Sequence, residues 1–206
     1  MRVLEYSLGP IETNCYLVID DNNNAVLVDA APDSYLTISE QCEKEKIKLQ
    51  AVLLTHSHWD HSADSFEFQS KMKIPIYVHK DDEYRILDPA GNSIWRLPFE
   101  IKPCTADKHY TENEILSFGD LKIKVIFTPG HTEGSVCLLI EGTDVLFSGD
   151  TLFNYGVGRT DLPGGNYSKL KHSVNEVLYS LSPDLKVYPG HGESTSIGEE
   201  KKRNRL

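Results

Sequence analysis

"LLTHSHWDH", Leu53 to His61, sets His56, His58, Asp60 and His61 into six positions directly after an apolar run. The run, "LQAVLLTH", reads as a buried strand, so the cluster falls where a strand ends. A surface loop gains little from three imidazoles, and buried ones would each need hydrogen-bond partners. Working outward, other strand-like runs end in the same chemistry: "FTPGHTEGS" at His131, "VYPGHGEST" at His191 and "LFSGDTLF" at Asp150. Strand ends at one sheet edge are rigid mounts that can converge several side chains on one point. Neutral imidazoles and carboxylates are donors suited to zinc, iron and related divalent ions. Five histidines and two aspartates exceed the needs of one four-coordinate ion and match two ions sharing a bridging carboxylate. Gly130 and Gly190, each in "PGH", are expected to turn the backbone so that the following ring points over the strand end.

Around these motifs the chain alternates strands and helices. "CYLVID" and "AVLVDAA" read as a hairpin turning at "DNNN". "DSYLTISEQCEKEKIK" reads as a helix with an acidic N-terminal cap at Asp33. "IPIYVH" is a strand followed by a short helix in "DDEYRIL", and residues 88–107, with three prolines and no period, form a long loop suited to a lid. Two hairpins follow, turning at Gly119-Asp120 and at "EGTD", then a helix in "NYSKLKHSVNEVLYSL" and a last strand in "LKVYPGH". Strands in runs with helices between them indicate two sheets packed on each other and covered by helices.

Bulk composition narrows the function classes. The 206 residues suffice for one well-buried domain, 1–206. Apolar runs such as "VCLLI" are strand-sized, and "MRVLEYSLGP" lacks an apolar signal-peptide core, so no membrane role and a cytoplasmic location are expected. Cys15, Cys42, Cys104 and Cys137 form no C-x-x-C pair, which fits reduced thiols. A net charge of −10 argues against nucleic acid, and the basic end of "EEKKRNRL" reads as a solvated terminal helix. No interface stripe sets an oligomeric state.

In this order and with these separations, "THSHWDH", "TPGHTEGS", "SGDTLF" and "YPGHGEST" resemble the metallo-β-lactamase fold superfamily. "GVGRTDLPGGNY" after the aspartate strand is similar to its small glyoxalase-II-like hydrolase branch. The resemblance runs from about Cys15 to the end of the chain. It implies an α/β fold, an αββα sandwich of two mixed β-sheets flanked by helices, with the site at one sheet edge. It implies His56, His58 and His131 on a first metal, Asp60, His61 and His191 on a second, and Asp150 bridging them. Zinc is the first expectation, with iron or manganese also accepted by such donors. The implied activity is hydrolysis of a small-molecule thioester such as S-lactoylglutathione by metal-bound hydroxide, with Asp60 holding that hydroxide. Thr55, Ser57 and Thr132 are expected to support the ligands.

Several positions set this chain apart. Glyoxalase II carries a C-terminal helical domain that helps hold glutathione, and no such domain is expected after His191 here. Its tyrosines two residues beyond the cation position and two beyond the last ligand histidine are replaced by Asp161 and Glu193. Arg159 keeps the cation, and it can either bind a substrate carboxylate or pair with Asp161. Trp59 can line the substrate mouth or pack; Tyr155 and Tyr167 are weaker candidates for the pocket. His79, His109 and His172 are assigned to surface or packing, and Cys137 to the core. The chain also resembles the persulfide dioxygenases, which place one iron on the positions of His56, His131 and Asp150; that iron enzyme, acting on glutathione persulfide, is the alternative.

Overall fold

A computed structural model describes residues 1–94, 96, 97 and 99–204. Trp95 and Pro98, within the predicted 88–107 loop, and Arg205 and Leu206, at the end of the basic tail, lie outside the described residues.

Two six-stranded mixed sheets stack face to face. The first runs in chain order: β1 (Arg2–Leu8), β2 (Thr13–Ile19), β3 (Asn24–Val28), β4 (Lys48–Leu53), β5 (Ile76–Val78) and β6 (Lys108–His109). Pairing is antiparallel up to β3 and parallel beyond it. The parallel steps need crossovers, which α1 (Ser34–Glu45), α2 (Trp59–Ser62), α3 (Ser65–Glu67) and α4 (Glu83–Leu87) help supply. The second sheet contains β7 (Ile115–Phe118), β8 (Leu121–Phe127), β9 (Val136–Ile140) and β10 (Val145–Gly149). A small separate hairpin, β11 (Leu152–Phe153) with β12 (Gly156–Val157), and the helix α5 (Tyr167–His172) precede its last strands. Those are β13 (Lys186–Pro189), parallel to β10, and β14 (Thr195–Ser196), with α6 (Ile197–Arg203) after them.

The four layers follow from side-chain alternation. Along β2, Cys15, Leu17 and Ile19 join Ile38, Cys42, Phe68 and Ile86 from the helical side, whereas Tyr16 and Val18 face the second sheet. Phe147 of β10 lies in that inter-sheet layer, and Leu146 faces Leu170, Val174 and Ile197 from the other helical side. Both faces of these strands are covered, so they read as continuous apolar runs. The expected αββα sandwich is the fold observed. No helix of the described residues is long and apolar enough to cross a membrane.

The predicted hairpins and strands fall where the sequence placed them, with two local differences in the helices. Asp33 does not cap α1 with its side chain; it stands in the left-handed region at φ 71°, and Asp64 Oδ2 accepts the Tyr35 N–H at 2.8 Å instead. The helix predicted from Asn166 to Leu181 leaves α-geometry after His172, passing into a wider π turn over Ser173–Val177 and a 3-10 turn over Leu178–Ser180. Among the described residues of 88–107 there is neither helix nor strand, as predicted.

Asp20 ties the two sheets together. Its carboxylate accepts the backbone N–H groups of Asn22 and Asn24 at 2.8 Å, Asn24 Nδ2 at 2.9 Å and, from the β7–β8 turn, the Asp120 N–H at 2.9 Å. Burial pushes its pKa up, but these donors, Asp120 first, outweigh burial and hold it at about 2. We expect Asp20→Asn to cost about 1.5–3 kcal/mol at neutral pH, the worth of hydrogen bonds to a charged group. A depressed folded pKa means the stabilisation is complete above the unfolded value of about 3.9 and lost as pH falls toward 2. Urea unfolding of both proteins from pH 7 to pH 2 checks this: the gap between them must shrink through that window, and a constant gap would refute the assignment.

Candidate metal centre

Each predicted ligand leaves the end of a strand, the turn after it or the short helix that follows. His56 and His58 follow β4, Asp60 and His61 lie on α2, Asp150 follows β10 and His191 follows β13. His131 sits in the turn between β8 and β9. The fold brings all seven together. Ligand atoms lie within 4.8 Å of one another in three groups: His56, His58 and His131; His56, His61 and Asp150; and Asp60, His61 and His191. Asp150 stands between the outer groups, with Oδ1 3.3 Å from His61 Nε2 and Oδ2 3.5 Å from His131 Nε2 and 3.7 Å from His191 Nε2.

Glycines let the strand ends approach this closely. Gly130 takes φ +141° and packs its bare Cα against the backbone of Leu170, so its turn is conformational, as expected. Gly190 differs from expectation: its φ is not positive, and its role is space. A Cβ there would stand 2.1 Å from Asp150 Oδ1 and 2.6 Å from His61 Cε1.

The surrounding hydrogen bonds aim the rings. His61 Nδ1 donates to Asp29 Oδ2 at 2.8 Å, which leaves the Nε2 lone pair pointing at Asp60 Oδ2 (3.2 Å) and Asp150. Asp29 also accepts the Thr55 N–H at 2.7 Å and its hydroxyl at 2.8 Å. His131 Nδ1 donates to the Arg159 carbonyl at 2.8 Å, so Nε2 faces His58 Nδ1 only 2.9 Å away. Thr13 Oγ1 donates to Asp60 Oδ2 at 2.8 Å. Fully buried Asp82 joins the two ligand loops, accepting from Ser57 N–H (3.0 Å), Thr132 Oγ1 (2.9 Å), Gly134 N–H (2.8 Å) and Arg85 Nη1 (3.0 Å). The expected supporting roles of Thr55, Ser57 and Thr132 are therefore visible in atomic contacts.

The donor set fits a cation. Buried His56 Nε2, His61 Nε2 and Asp150 Oδ1 have no hydrogen-bond partner, a costly arrangement unless a positive charge sits among them. Burial, reinforced by neighbouring rings, pushes His56 well below its ordinary pKa and His58 down to about 3, leaving both as neutral lone-pair donors. Burial also opposes charge on His61, but Asp60, Asp150 and Asp29 together raise its pKa well above the ordinary value. The carboxylates thus draw positive charge to the centre, and a divalent ion supplies it at the positions a proton would otherwise take.

The cluster opens into a cavity of about 660 Å³ walled by Ile11, Trp59, Phe153, Val157 and Leu162. Trp59 therefore lines the mouth and also packs, its ring 5.9 Å from that of Phe99. Arg159 reaches the same cavity, but its Nε and Nη2 each donate to Asp161 at 2.7 Å. The Arg159 hydrogen bonds pull the exposed Asp161 carboxyl down to about 2. Tyr155 and Tyr167 do not line the cavity: Tyr155 lies under the Arg203 guanidinium, 4.5 Å from its ring centre, and Tyr167 is exposed at the start of α5. His79 packs on Phe127, His109 meets Glu83 and His172 is exposed; none joins the cluster. All four cysteines are free and buried, Cys137 included.

Sequence reasoning missed Asp29, Asp82 and Thr13. Asp29 carried a signal, a lone carboxylate ending the apolar run "AVLVD". Asp82 looked like an ordinary helix start, and nothing local distinguishes Thr13.

Comparison with known proteins agrees with this geometry. The model of the metallo-beta-lactamase superfamily matches residues 8–191. The probable metallo-hydrolase YqgX of Bacillus subtilis is 33% identical, covering 99% of this chain and 96% of that protein. The hydroxyacylglutathione hydrolase GloC of Haemophilus influenzae is 31% identical over 94% and 92%. Among solved structures, the BLEG-1 B3 metallo-beta-lactamase aligns with a TM-score of 0.90 at 35% identity, covering 98% of each chain. TTHA1623 in a di-iron-bound form aligns with 0.87 at 32% identity over 98% of each. ETHE1 from Myxococcus xanthus aligns with 0.81 at 28%, covering 99% of this chain and 83% of that one.

Proposed function

Because the chain belongs to the metallo-beta-lactamase superfamily, we propose that it is a binuclear metallohydrolase cleaving small-molecule thioesters, S-lactoylglutathione among them. The observation that carries this reading is Asp150, whose carboxylate stands between the two groups of histidines, Oδ1 beside His61 and Oδ2 beside both His131 and His191. His56, His58 and His131 would hold one ion, Asp60, His61 and His191 the other, with Asp150 shared. When bound, two such ions supply a water of lowered pKa and an electrophile for the acyl oxygen. Zinc is our first choice, and the di-iron form of TTHA1623 supports iron as an occupant of such a centre.

The chain's own residues do the rest. Asp29 fixes the tautomer and direction of His61, and Asp82 fixes the spacing of the two ligand loops. Asp60, held by Thr13, lines the cavity, where it accepts a hydrogen bond from the attacking water. Trp59, Phe153 and Leu162 limit bulk water around the acyl group. The reaction consumes water and releases a carboxylate and a thiol, and it needs no redox partner. The GloC likeness supports a thioester substrate. The BLEG-1 likeness favours a second reading, β-lactam hydrolysis at the same centre. Four buried free thiols support a cytoplasmic home.

Elemental analysis of protein purified without chelator, followed by a panel of S-lactoylglutathione, other thioesters and a cephalosporin, tests this. We expect about two ions per chain and thioester hydrolysis. Cephalosporin cleavage without thioester cleavage would replace this reading with the lactam one. One iron per chain with oxygen uptake on glutathione persulfide would replace it with the dioxygenase.

A further inference from the structure

Two cavities meet at Trp59. The larger holds the ligand cluster, and a smaller one of about 110 Å³ lies against Tyr84, Arg85 and Ile94; His58, Trp59 and Leu162 line both. Two guanidiniums reach these spaces, and each is held by carboxylates of the chain. Arg85 donates to Asp82 at 3.0 Å, Glu133 at 2.7 Å and the Pro163 carbonyl at 2.9 Å. Arg159 makes its two-pronged contact with Asp161. Among the described residues, no lysine lines either cavity.

Resting on the hydrolase reading for its chemistry, we propose that Asp161 is a specificity-determining residue. By holding Arg159 it leaves the wall of the cleft beyond the ligand cluster apolar and, among the described residues, without an unpaired guanidinium or ammonium, so the preferred thioesters carry an uncharged thiol in place of one bearing carboxylates, such as glutathione. An anionic substrate arm entering this cleft must shed water without finding a matched partner, whereas an apolar arm gains from the Ile11, Phe153, Val157 and Leu162 walls. The planar fork of Arg159 is the group that would match a carboxylate, and both of its prongs are in use. The pair is exposed and adds little to stability, so Asp161 can be changed without unfolding the chain.

The test compares S-hexyl-N-acetylcysteamine with S-hexylglutathione, two unhydrolysable thioethers, by calorimetry, and the matching hexanoyl thioesters by kcat/KM. We expect the native protein to favour the neutral member of each pair by about tenfold, the scale of one charge-assisted hydrogen bond. D161N should narrow that ratio about fivefold by freeing Arg159, and R159M added to D161N should abolish the narrowing. The narrowing should also fade at high salt. A native preference for the glutathione ligands, or a ratio unmoved in D161N, overturns the proposal. If the thioethers follow the expected order while neither thioester is cleaved, the cleft's preference stands and the hydrolase reading is what fails.

Discussion

Stripping the protein with a chelator should lower its melting temperature by roughly 8–16 °C for each ion removed. The centre as folded holds two aspartates, five histidines and three buried polar atoms without partners. Binding an ion there satisfies those atoms in the native state and offers nothing comparable to the unfolded chain. A ligand at about a thousand times its dissociation constant adds about 4.1 kcal/mol per site. For a chain of this length each kcal/mol moves the melting temperature by about 2–4 °C. Calorimetry of the protein as purified, after chelation, and after adding back zinc or iron measures the effect. Identical melting in all three states would mean that the cluster holds no ion worth its desolvation.

Gly190→Ala should abolish the centre with a single methyl group. That methyl would overlap Asp150 Oδ1 and press on His61, whose ring is already locked by burial and by Asp29. Forcing atoms into such a packed site typically costs about 1–3 kcal/mol. Moving Asp150 also disturbs all three groups of donors at once, so metal content should fall below one ion per chain and activity by at least about a hundredfold. Gly156→Ala is the control, since a Cβ there meets nothing within 4 Å and should shift stability by less than about 0.5 kcal/mol. Metal analysis and melting curves of both variants decide the matter; a Gly190→Ala protein that keeps its metal would show that the strand end is soft.

The ligands were legible because they sit on strands whose apolar runs end in histidine or aspartate, a local pattern. Layering was legible because strands buried on both faces read as unbroken apolar runs. What stayed hidden depends on contacts between distant segments. Strand β1 alternates half-buried and exposed residues at a sheet edge and carries no strong apolar signal. Asp33 has the residue type of a helix cap, but tertiary packing gave the task to Asp64. Thr13 and Asp60 lie 47 residues apart, and only the packing of α2 against β2 brings them into contact. Gly190 reads as a sharp backbone turn because its sequence context matches that of Gly130, yet only the folded structure separates a need for rotation from a need for room.

The stitching of β2 to the strand end before His191 has a consequence for how the protein is made. Asn14 N–H donates to the Gly190 carbonyl at 2.8 Å, and its side chain to Pro189 at 3.1 Å and Gly192 at 2.9 Å; Tyr16 OH donates to Pro189 at 2.6 Å. Residues near the beginning of the chain thus hold in place the last donor to be synthesised. During translation the early segment, with His56, His58 and His61, leaves the ribosome long before Asp150 and His191. The nascent chain therefore passes through a stage in which it can catch a metal with an incomplete grip. Correct loading is postponed until the strand bearing His191 has emerged and docked against β2.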